Sequence, residues 1–591
     1  MSEKTICSKI FETSKKFPEK ICLIHGEVAI NYEDLVNSSL NLASKIIDTL
    51  SEPERCIAIA GPVGPDSIIA IMAILLSGHH YFWIDINQPL SFLEEQLISV
   101  NCPLILTSQS NAPQIYQLKL PTIQVIFDSK KNIHNLPKVF PTSAAYINFS
   151  SGSTGQPKAI VCTHAGVLRL CRHQSFLPFE KGLTFLFHSP LSFDAATLEI
   201  WGALLNGGCC VINGDIPLTP ERLRDHINHN GVDTLWLTSS LFNAFVDLDI
   251  TCFKGLNWLM SGGDVLSIKH VRQALQVHPQ IQFINGYGPT ENTTFTCCHR
   301  ITTEDCYMED IPIGQPITGT KIILCDSLGS PVARGEIGEI YALGEGLALG
   351  YLNQQELTNK VFIKLQHNGT YSRAYRTGDL ARIDEKNNLR FVCRVDSEVK
   401  INGYRINITG LEARLREADD VYDCALLVID NNGSKSLVAV LQAESSEKAK
   451  IIARKFATWE YPNSWLCIQK MPVTKHGKLD RAKLKALWLD EENNSSIGPL
   501  TELEKECSKW WLRLLGNPIK DAEKSFFDSG GTSLQAMQLL AICHSCRPQP
   551  SITLNDLRQH PTLRKFSALL QQRGVGIEAL RHPIPDHTLV L

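Results

Sequence analysis

From residue 20 to about 395 the chain alternates short β-branched or apolar runs with helical patterns, and this alternation narrows the possible folds more than anything else in it. "CIAIAGP" (56–62) is followed by the helical "DSIIAIMAILLSG" (66–78), then by "YFWID" (81–85). "PLILTS" (103–108) and "AAYINFS" (144–150) read as further strands. Strands that alternate with helices predict an α/β core, with parallel sheets covered by helices on both faces. In such folds, polar glycine-rich turns after strands are where ligands bind. At 591 residues the chain is too long for a single core, and the usual domain size suggests roughly three or four.

The texture changes near 396. "EVKINGYRINI" (398–408) places Asn-Gly between two alternating runs, a hairpin signal, and "ALLVID" and "SLVAVLQAES" continue a small α+β unit to about 486. "LDEENNSSIGP" (489–499), acidic and rich in Asn and Ser, reads as a solvated linker. A helical block follows. Thr501 and Glu504 stand at capping-box spacing, and Leu503, Cys507, Trp510 and Leu514 fall on one helical face. "SLQAMQLLAICHSC" and "LRKFSALLQQR" suggest two more helices, so 499–575 is expected to be an all-α bundle. The boundaries read from this pass are 1–395, 396–486, a linker at 487–498, 499–575, and a tail at 576–591 without an assigned role.

Hydrophobic residues make up 43% and charged residues 20%, which excludes a largely disordered chain. A formal net charge of −4, without a basic run, gives no reason to expect nucleic acid. No apolar stretch reaches the roughly 18 residues of a membrane span, and the N-terminus has no signal-peptide core. A cytoplasmic protein with no membrane partner is expected. Its 19 cysteines are then reduced thiols. Cys543 and Cys546 form one C-x-x-C, but no second pair stands at zinc-site spacing.

"NFSSGSTGQPKAIV" (148–161) compresses four hydroxyl residues, two glycines and a lysine behind an apolar run. Alone it fits a surface linker, or a cradle in which glycines open the backbone N–H groups to phosphate. The rest of the chain decides between them. "FSSGSTGQPKAIV" resembles the phosphate-binding loop of adenylate-forming enzymes, specifically the amino-acid adenylation domains of nonribosomal peptide synthetases. The spacing Gly152-x-x-Gly155-x-x-Lys158 is not that of a nucleotide-triphosphatase P-loop. Further matches follow in the family's order: "LLSGHHYFWIDINQP" (75–89), "SFDAATLEIW" (192–201), "NGYGPTEN" (285–292), "YRTGDL" (375–380), "CRVDSEVKINGYRI" (393–406) and "MPVTKHGKLDR" (471–481). "FFDSGGTSLQAMQL" (526–539) resembles the modification motif of a peptidyl carrier protein.

The resemblance implies a large adenylation core, a mobile small subdomain and a carrier bundle. Its chemistry explains the residue types. A carboxylate is a poor electrophile until attack on the α-phosphate of ATP converts it to an acyl-adenylate, with pyrophosphate released; a thiol then displaces AMP. Such steps need placement and positive charge around oxygens more than covalent help. The resemblance assigns Lys478 to bridge the substrate carboxylate and the α-phosphate, and Glu291 to hold Mg2+, a hard oxygen ligand for a hard cation. It gives Thr290 to the α-phosphate, Asn285 to the adenine edge, Tyr287 to the adenine face, Asp379 to both ribose hydroxyls and Arg394 to ribose or phosphate. Ser151, Gly152, Ser153, Thr154, Gly155 and Lys158 would cradle the phosphates. Ser533 would carry 4'-phosphopantetheine from a helix N-terminus, which favours a phosphodiester, and Asp396 would be the hinge.

Asp194 matches the position that pairs with the substrate ammonium in relatives activating α-amino acids. The remaining pocket positions carry over to Ala195, Leu198, Trp236, Met260, Gly262, Gly286 and Thr294, an uncharged and largely apolar set that disfavours charged side chains. The chain departs from the family at Cys393, where a glycine is usual, at Thr532, where His or Asp is more often found, and across Asn407–Gly410, where only Glu412 remains of an acid-rich stretch. The expected function is activation of an amino acid and its loading onto the chain's own arm. A phosphopantetheinyl transferase and a downstream condensation, transfer or tailoring enzyme would be partners, since no room is left before residue 20 or after 575 for further domains. The rivals are an acyl- or aryl-coenzyme A ligase and a degenerate, non-catalytic scaffold.

Overall fold

The computed structural model describes residues 5–577 except 87, 109–114, 116, 131–134, 151–157, 368, 396–397, 402–403, 432–433, 458, 473–478, 495–499, 516–518, 520, 528, 530, 532, 545–551 and 576. It divides into two compact units, one spanning Met1–Gly152 and Gln156–Glu398, the other Ser153–Gly155 and Val399–Leu591.

The first unit holds three sheets. In the nine-stranded sheet, Ile21–His25, Cys209–Ile212, Thr184–Phe187, Thr234–Thr238, Trp258–Gly262 and Gln282–Tyr287 run parallel side by side, with antiparallel strands at both edges. These strands read as apolar runs because parallel sheets are covered on both faces. A seven-stranded sheet contains the expected strands Cys56–Ala60, His80–Ile84, Ile105–Thr107 and Ala144–Ser150. Pro65–Leu76 is the buried helix the sequence suggested, with every residue from Ser67 onward out of solvent. Together with Ala195–Leu204 and residues of both sheets it forms one hydrophobic cluster. The third sheet is antiparallel and built on Thr320–Cys325, Gly338–Gly344, Thr370–Ile383, Phe362–His367 and Leu389–Arg394.

Ala144–Ser150 pairs antiparallel with Lys158–Thr163, with Ser150 opposite Lys158, so Lys158 opens a buried strand.

In the second unit, Glu398–Ile401 and Tyr404–Asn407 pair as the hairpin signal predicts. A three-stranded sheet of Asp423–Asn431, Ser434–Gln442 and Ser464–Ile468 follows, packed with helices. The unusual Asn407 is accounted for locally, since its side chain accepts from Gly410 N at 2.6 Å and caps Ile408–Leu415. Glu412, retained from the family pattern, accepts from Leu426 N and from Arg481, each at 2.8 Å.

The stretch expected to be a linker begins as helix, because Arg481–Asn494 runs on through its acidic residues and buries Trp488. Good helix formers with one apolar anchor outweigh a solvated composition. Beyond it, the Thr501–Glu504 capping box forms as expected. The buried face of Glu502–Leu515 is centred on Cys507, Trp511 and Leu515, with Leu503, Trp510 and Leu514 flanking it. Both sets have helical spacing, and the adjacent tryptophans left the rotation open. A short fourth helix, Leu554–Gln559, with a capping box from Thr553 and Asp556, joins the three that were expected. No described helix is long and apolar enough to cross a membrane, and every described cysteine is a free thiol.

Candidate active site

Two adjoining groups of predicted residues come together in the first unit. The first rests on strand pairing. Asp379 and Arg394 are direct partners across Thr370–Ile383 and Leu389–Arg394, where opposite charges facing each other stabilise a sheet. Arg394 Nη1 donates to Asp379 Oδ1 at 2.6 Å, and the Tyr287 hydroxyl donates to Asp379 Oδ2, also at 2.6 Å. Burial, followed by the adjacent Asp379 carboxylate, pushes the Tyr287 phenol well up, so it stays a donor. Each carboxylate oxygen keeps a second lone pair, so the arrangement still fits a ribose diol. Arg394 Nη2 reaches on to Glu398 Oε2 at 3.0 Å, and Lys158 Nζ donates to Glu398 Oε1 at 3.4 Å. Lys158 also stands over the Tyr351 ring, 5.7 Å from its centroid, and the Tyr351 hydroxyl donates to Glu291 Oε1 at 2.7 Å. Asn285 is buried and gives its amide to Pro312 O at 2.8 Å.

The second group is set by register. Trp236, Met260 and Ile284 are neighbours across three parallel strands, and two residues further on so are Thr238, Gly262 and Gly286. A spacing of two puts Trp236, Met260, Gly262 and Gly286 on one face. Phe295 packs there with its ring centroid 5.1 Å from that of Trp236. A Cβ at Gly286 would lie 2.6 Å from the Phe295 ring, and one at Gly262 would lie 2.0 Å from Gly286 O. These glycines are therefore required by close approach. Asp194, Ala195 and Leu198 stand at the start of Ala195–Leu204, all buried. Asp194 precedes the helix without capping it. Its Oδ2 accepts from the Thr290 hydroxyl at 2.8 Å instead, and its backbone carbonyl accepts from Thr294 at 2.9 Å. A hydroxyl has one proton to give, so in this arrangement Thr290 serves Asp194 and not a phosphate.

The turn that carries Thr290, Glu291 and Thr294 is strained. Thr293 and Thr294 have φ of 50° and 65°, a region β-branched residues avoid. Arg169 holds it in place, fully enclosed and giving Nη1 to Phe295 O and Thr320 and Nη2 to Asn292 O and Thr293 O, at 2.6–2.8 Å. Burial lowers its pKa to about 10, which leaves it charged. Sequence reasoning missed Arg169, Phe295, Tyr351 and Glu398. Only Glu398 lay inside a quoted motif; no spacing signal marks the others.

Ser151, Gly152, Ser153, Thr154, Gly155, Asp396 and Lys478 lie outside the described residues, and Ser533 is described only as the first residue of Ser533–His544. Gly531, just before it, sits where a Cβ would meet the Phe526 ring at 2.4 Å, so the approach to that helix start is tightly packed. A helix N-terminus suits a phosphodiester, and the site fits a phosphopantetheine arm in that respect. Glu291 offers carboxylate oxygen of the kind Mg2+ takes beside phosphates. Among the described residues no cluster of three or more His, Cys, Asp or Glu could hold a metal by itself.

Comparison with known proteins shows the family. Residues 10–352 match the family of AMP-binding enzymes, and residues 509–570 match the phosphopantetheine attachment site. A linear gramicidin synthase polypeptide of Brevibacillus parabrevis is 33% identical over 98% of this chain, and a plipastatin synthase polypeptide of Bacillus subtilis (strain 168) is 31% identical over 97%. This chain spans only 8% and 22% of their respective lengths. Among solved structures, holo-PA1221, described as an NRPS protein containing adenylation and PCP domains bound to a vinylsulfonamide inhibitor, is 42% identical with a TM-score of 0.89, covering 98% of this chain and 99% of that one. NpsA-ThdA of Klebsiella oxytoca, an artificially fused adenylation-PCP di-domain, is 25% identical with a TM-score of 0.70, covering 83% and 98%. The chain therefore belongs to the AMP-binding, adenylate-forming enzymes, in the nonribosomal peptide synthetase form that joins an adenylation domain to a carrier domain.

Proposed function

We propose that this chain activates an α-amino acid with a small, uncharged side chain as its aminoacyl-adenylate, and passes it as a thioester to an arm on Ser533. The observation that carries the reading is Asp194, buried at the head of its helix and oriented by Thr290, with Ala195 and Leu198 of that helix in one hydrophobic cluster with Trp236, Met260 and Phe295. A carboxylate so enclosed suits an ammonium partner. The same cluster supports a short side chain, because the two aromatic rings already lie against Gly262 and Gly286.

In the first half-reaction a carboxylate oxygen of the acid attacks the α-phosphorus of ATP, and the P–O bond to pyrophosphate breaks. Asp379 and Arg394 would hold the ribose, with Tyr287 at the adenine face and its hydroxyl on Asp379, while Glu291 would hold Mg2+ beside the phosphates. Lys478 would steady the charge developing between the acid and the α-phosphate. In the second half-reaction a thiol sulfur attacks the acyl carbon and AMP leaves. The thiol is what the phosphopantetheine arm supplies when attached. Asp396 would be the hinge that lets the small subdomain serve each half-reaction in turn.

Pyrophosphate exchange across a panel of amino, aryl and fatty acids tests this reading. Stimulation by a small apolar amino acid is expected. Stimulation by an aryl or fatty acid alone would overturn it in favour of a coenzyme A ligase type, and silence throughout would favour a non-catalytic scaffold.

A further inference from the structure

We propose that Glu398 competes with the phosphates of a nucleoside triphosphate for Lys158, so that nucleotide entry exchanges one counter-charge for another. The inference rests on the nucleotide reading of this edge of the first unit and adds to it a residue with no role in that reading.

The geometry is specific. The Glu398 side chain is 4% exposed and faces two cations, Arg394 at 3.0 Å and Lys158 at 3.4 Å. Lys158 is itself buried, its side chain 9% exposed, and a buried ammonium deprived of its partner is costly. The two contacts are unequal. Charge-assisted N–H···O bonds are typically about 2.7–2.9 Å, so the Arg394 contact is close to ordinary and the Lys158 contact is stretched. Arg394 is also anchored on Asp379 at 2.6 Å. Of these two contacts the one to Lys158 is the looser, and Lys158 is the partner Glu398 yields. A polyphosphate offers Lys158 more negative charge than one carboxylate can, while the carboxylate both holds Lys158 back and repels the incoming phosphates. Glu398 also follows Asp396, the expected hinge position, by two residues, so loss of the Lys158 contact removes a tether close to that position in the chain.

Calorimetric titration of MgATP into the full chain tests this with Glu398→Gln and Glu398→Asp. Removing a competitor must tighten binding. The Gln variant is expected to bind MgATP about fivefold more tightly than wild type, near the upper end of what a partly screened pair contributes, with the Asp variant between them. A residue that merely props the site would give the opposite sign. Unchanged or weaker binding in Glu398→Gln overturns the proposal, and should that variant not fold, the Asp variant decides by the same sign. Melting temperature supplies a second readout, because MgATP should raise that of Glu398→Gln by more than that of wild type, and equal shifts count against competition. A wild-type chain that does not bind MgATP at all sinks the nucleotide reading itself, a result distinguishable from failure of the variants alone.

Discussion

The edge formed by Asp379, Arg394, Glu398 and Lys158 and the helix start at Asp194 both bury carboxylates, by contrasting means. At the edge each carboxylate faces cations supplied by the chain, and the charges alternate in a line from Asp379 to Lys158. Asp194 instead accepts from the neutral Thr290 hydroxyl, while Ala195 and Leu198 just beyond it share one hydrophobic cluster with Trp236, Met260 and Phe295. The contrast shows how one unit can suit two kinds of ligand. On the proposed reading, a polyanion would be met by cations already arranged in pairs, and an ammonium ion by an acid beside apolar residues, where a charge pair counts for more.

The largest effect is expected at Lys478, which the family resemblance assigns to bridge the substrate carboxylate and the α-phosphate. Lys478→Ala should lower pyrophosphate exchange by about 10²–10³, roughly 3–4 kcal/mol, the usual cost of losing one preorganised charge at a transition state. ATP binding, measured by titration, should hardly change, and an unaltered exchange rate would remove Lys478 from the chemistry. Next comes the pocket itself. Asp194→Ala should cost about 2–5 kcal/mol in kcat/KM for the amino acid, as expected when a desolvated pair loses one partner, with the KM for ATP little affected. Equal damage to both substrates would mean that the two regions are not separable.

A third test asks whether the pocket side keeps its other acid neutral, unlike the edge. Glu199, on the same helix as Asp194, is fully enclosed and accepts from Ser189 and from His188 N, yet burial outweighs those donors and raises its pKa to about 8. Its neighbour His188, 3.6 Å away, is held near 4, chiefly by burial. Below pH 6.5 the two oppose each other, since the unfolded chain takes up the histidine proton while the folded Glu199 keeps its own. Between pH 6.5 and 8 only Glu199 acts. The unfolded state has already lost that proton and the folded state has not, so stability must fall as pH rises. A decline of roughly 2 kcal/mol is expected in denaturant titrations across this window, and Glu199→Gln should flatten it. The smallest effect is on selectivity. Phe295→Leu opens the floor of the pocket and should shift relative exchange towards larger apolar amino acids by about tenfold, the scale set by a methylene or two. An unchanged ranking would place the floor elsewhere.

Much of this was legible in the sequence, for reasons that can be named. The strands at 56–60, 144–150 and 398–407 show in continuous apolar runs or in an Asn-Gly flanked by alternation, both consequences of local geometry. Asp379 and Arg394 could be paired in function because their motifs resemble a known family, but that they face each other across two strands came only with the register. Arg169 and Phe295 were illegible. An arginine in "GVLRLC" and a phenylalanine in "NTTFT" carry no spacing signal, and their importance arises from a strained turn brought against them by the fold. The helical start of the presumed linker was misread because composition there speaks for solvent, whereas Trp488 speaks for packing.

Cys393 takes the place of a glycine beside Arg394, and it is the exposed cysteine among the described thiols; most of the others are buried. Burial both hides a thiol from reagents and raises its pKa, as at Cys162, where it is pushed up to about 12. Among the described thiols, a maleimide dye should therefore favour residue 393 under native conditions, three positions before the expected hinge. The departure from the family pattern thus offers an attachment point from which a fluorophore could test for the motion proposed between the two half-reactions.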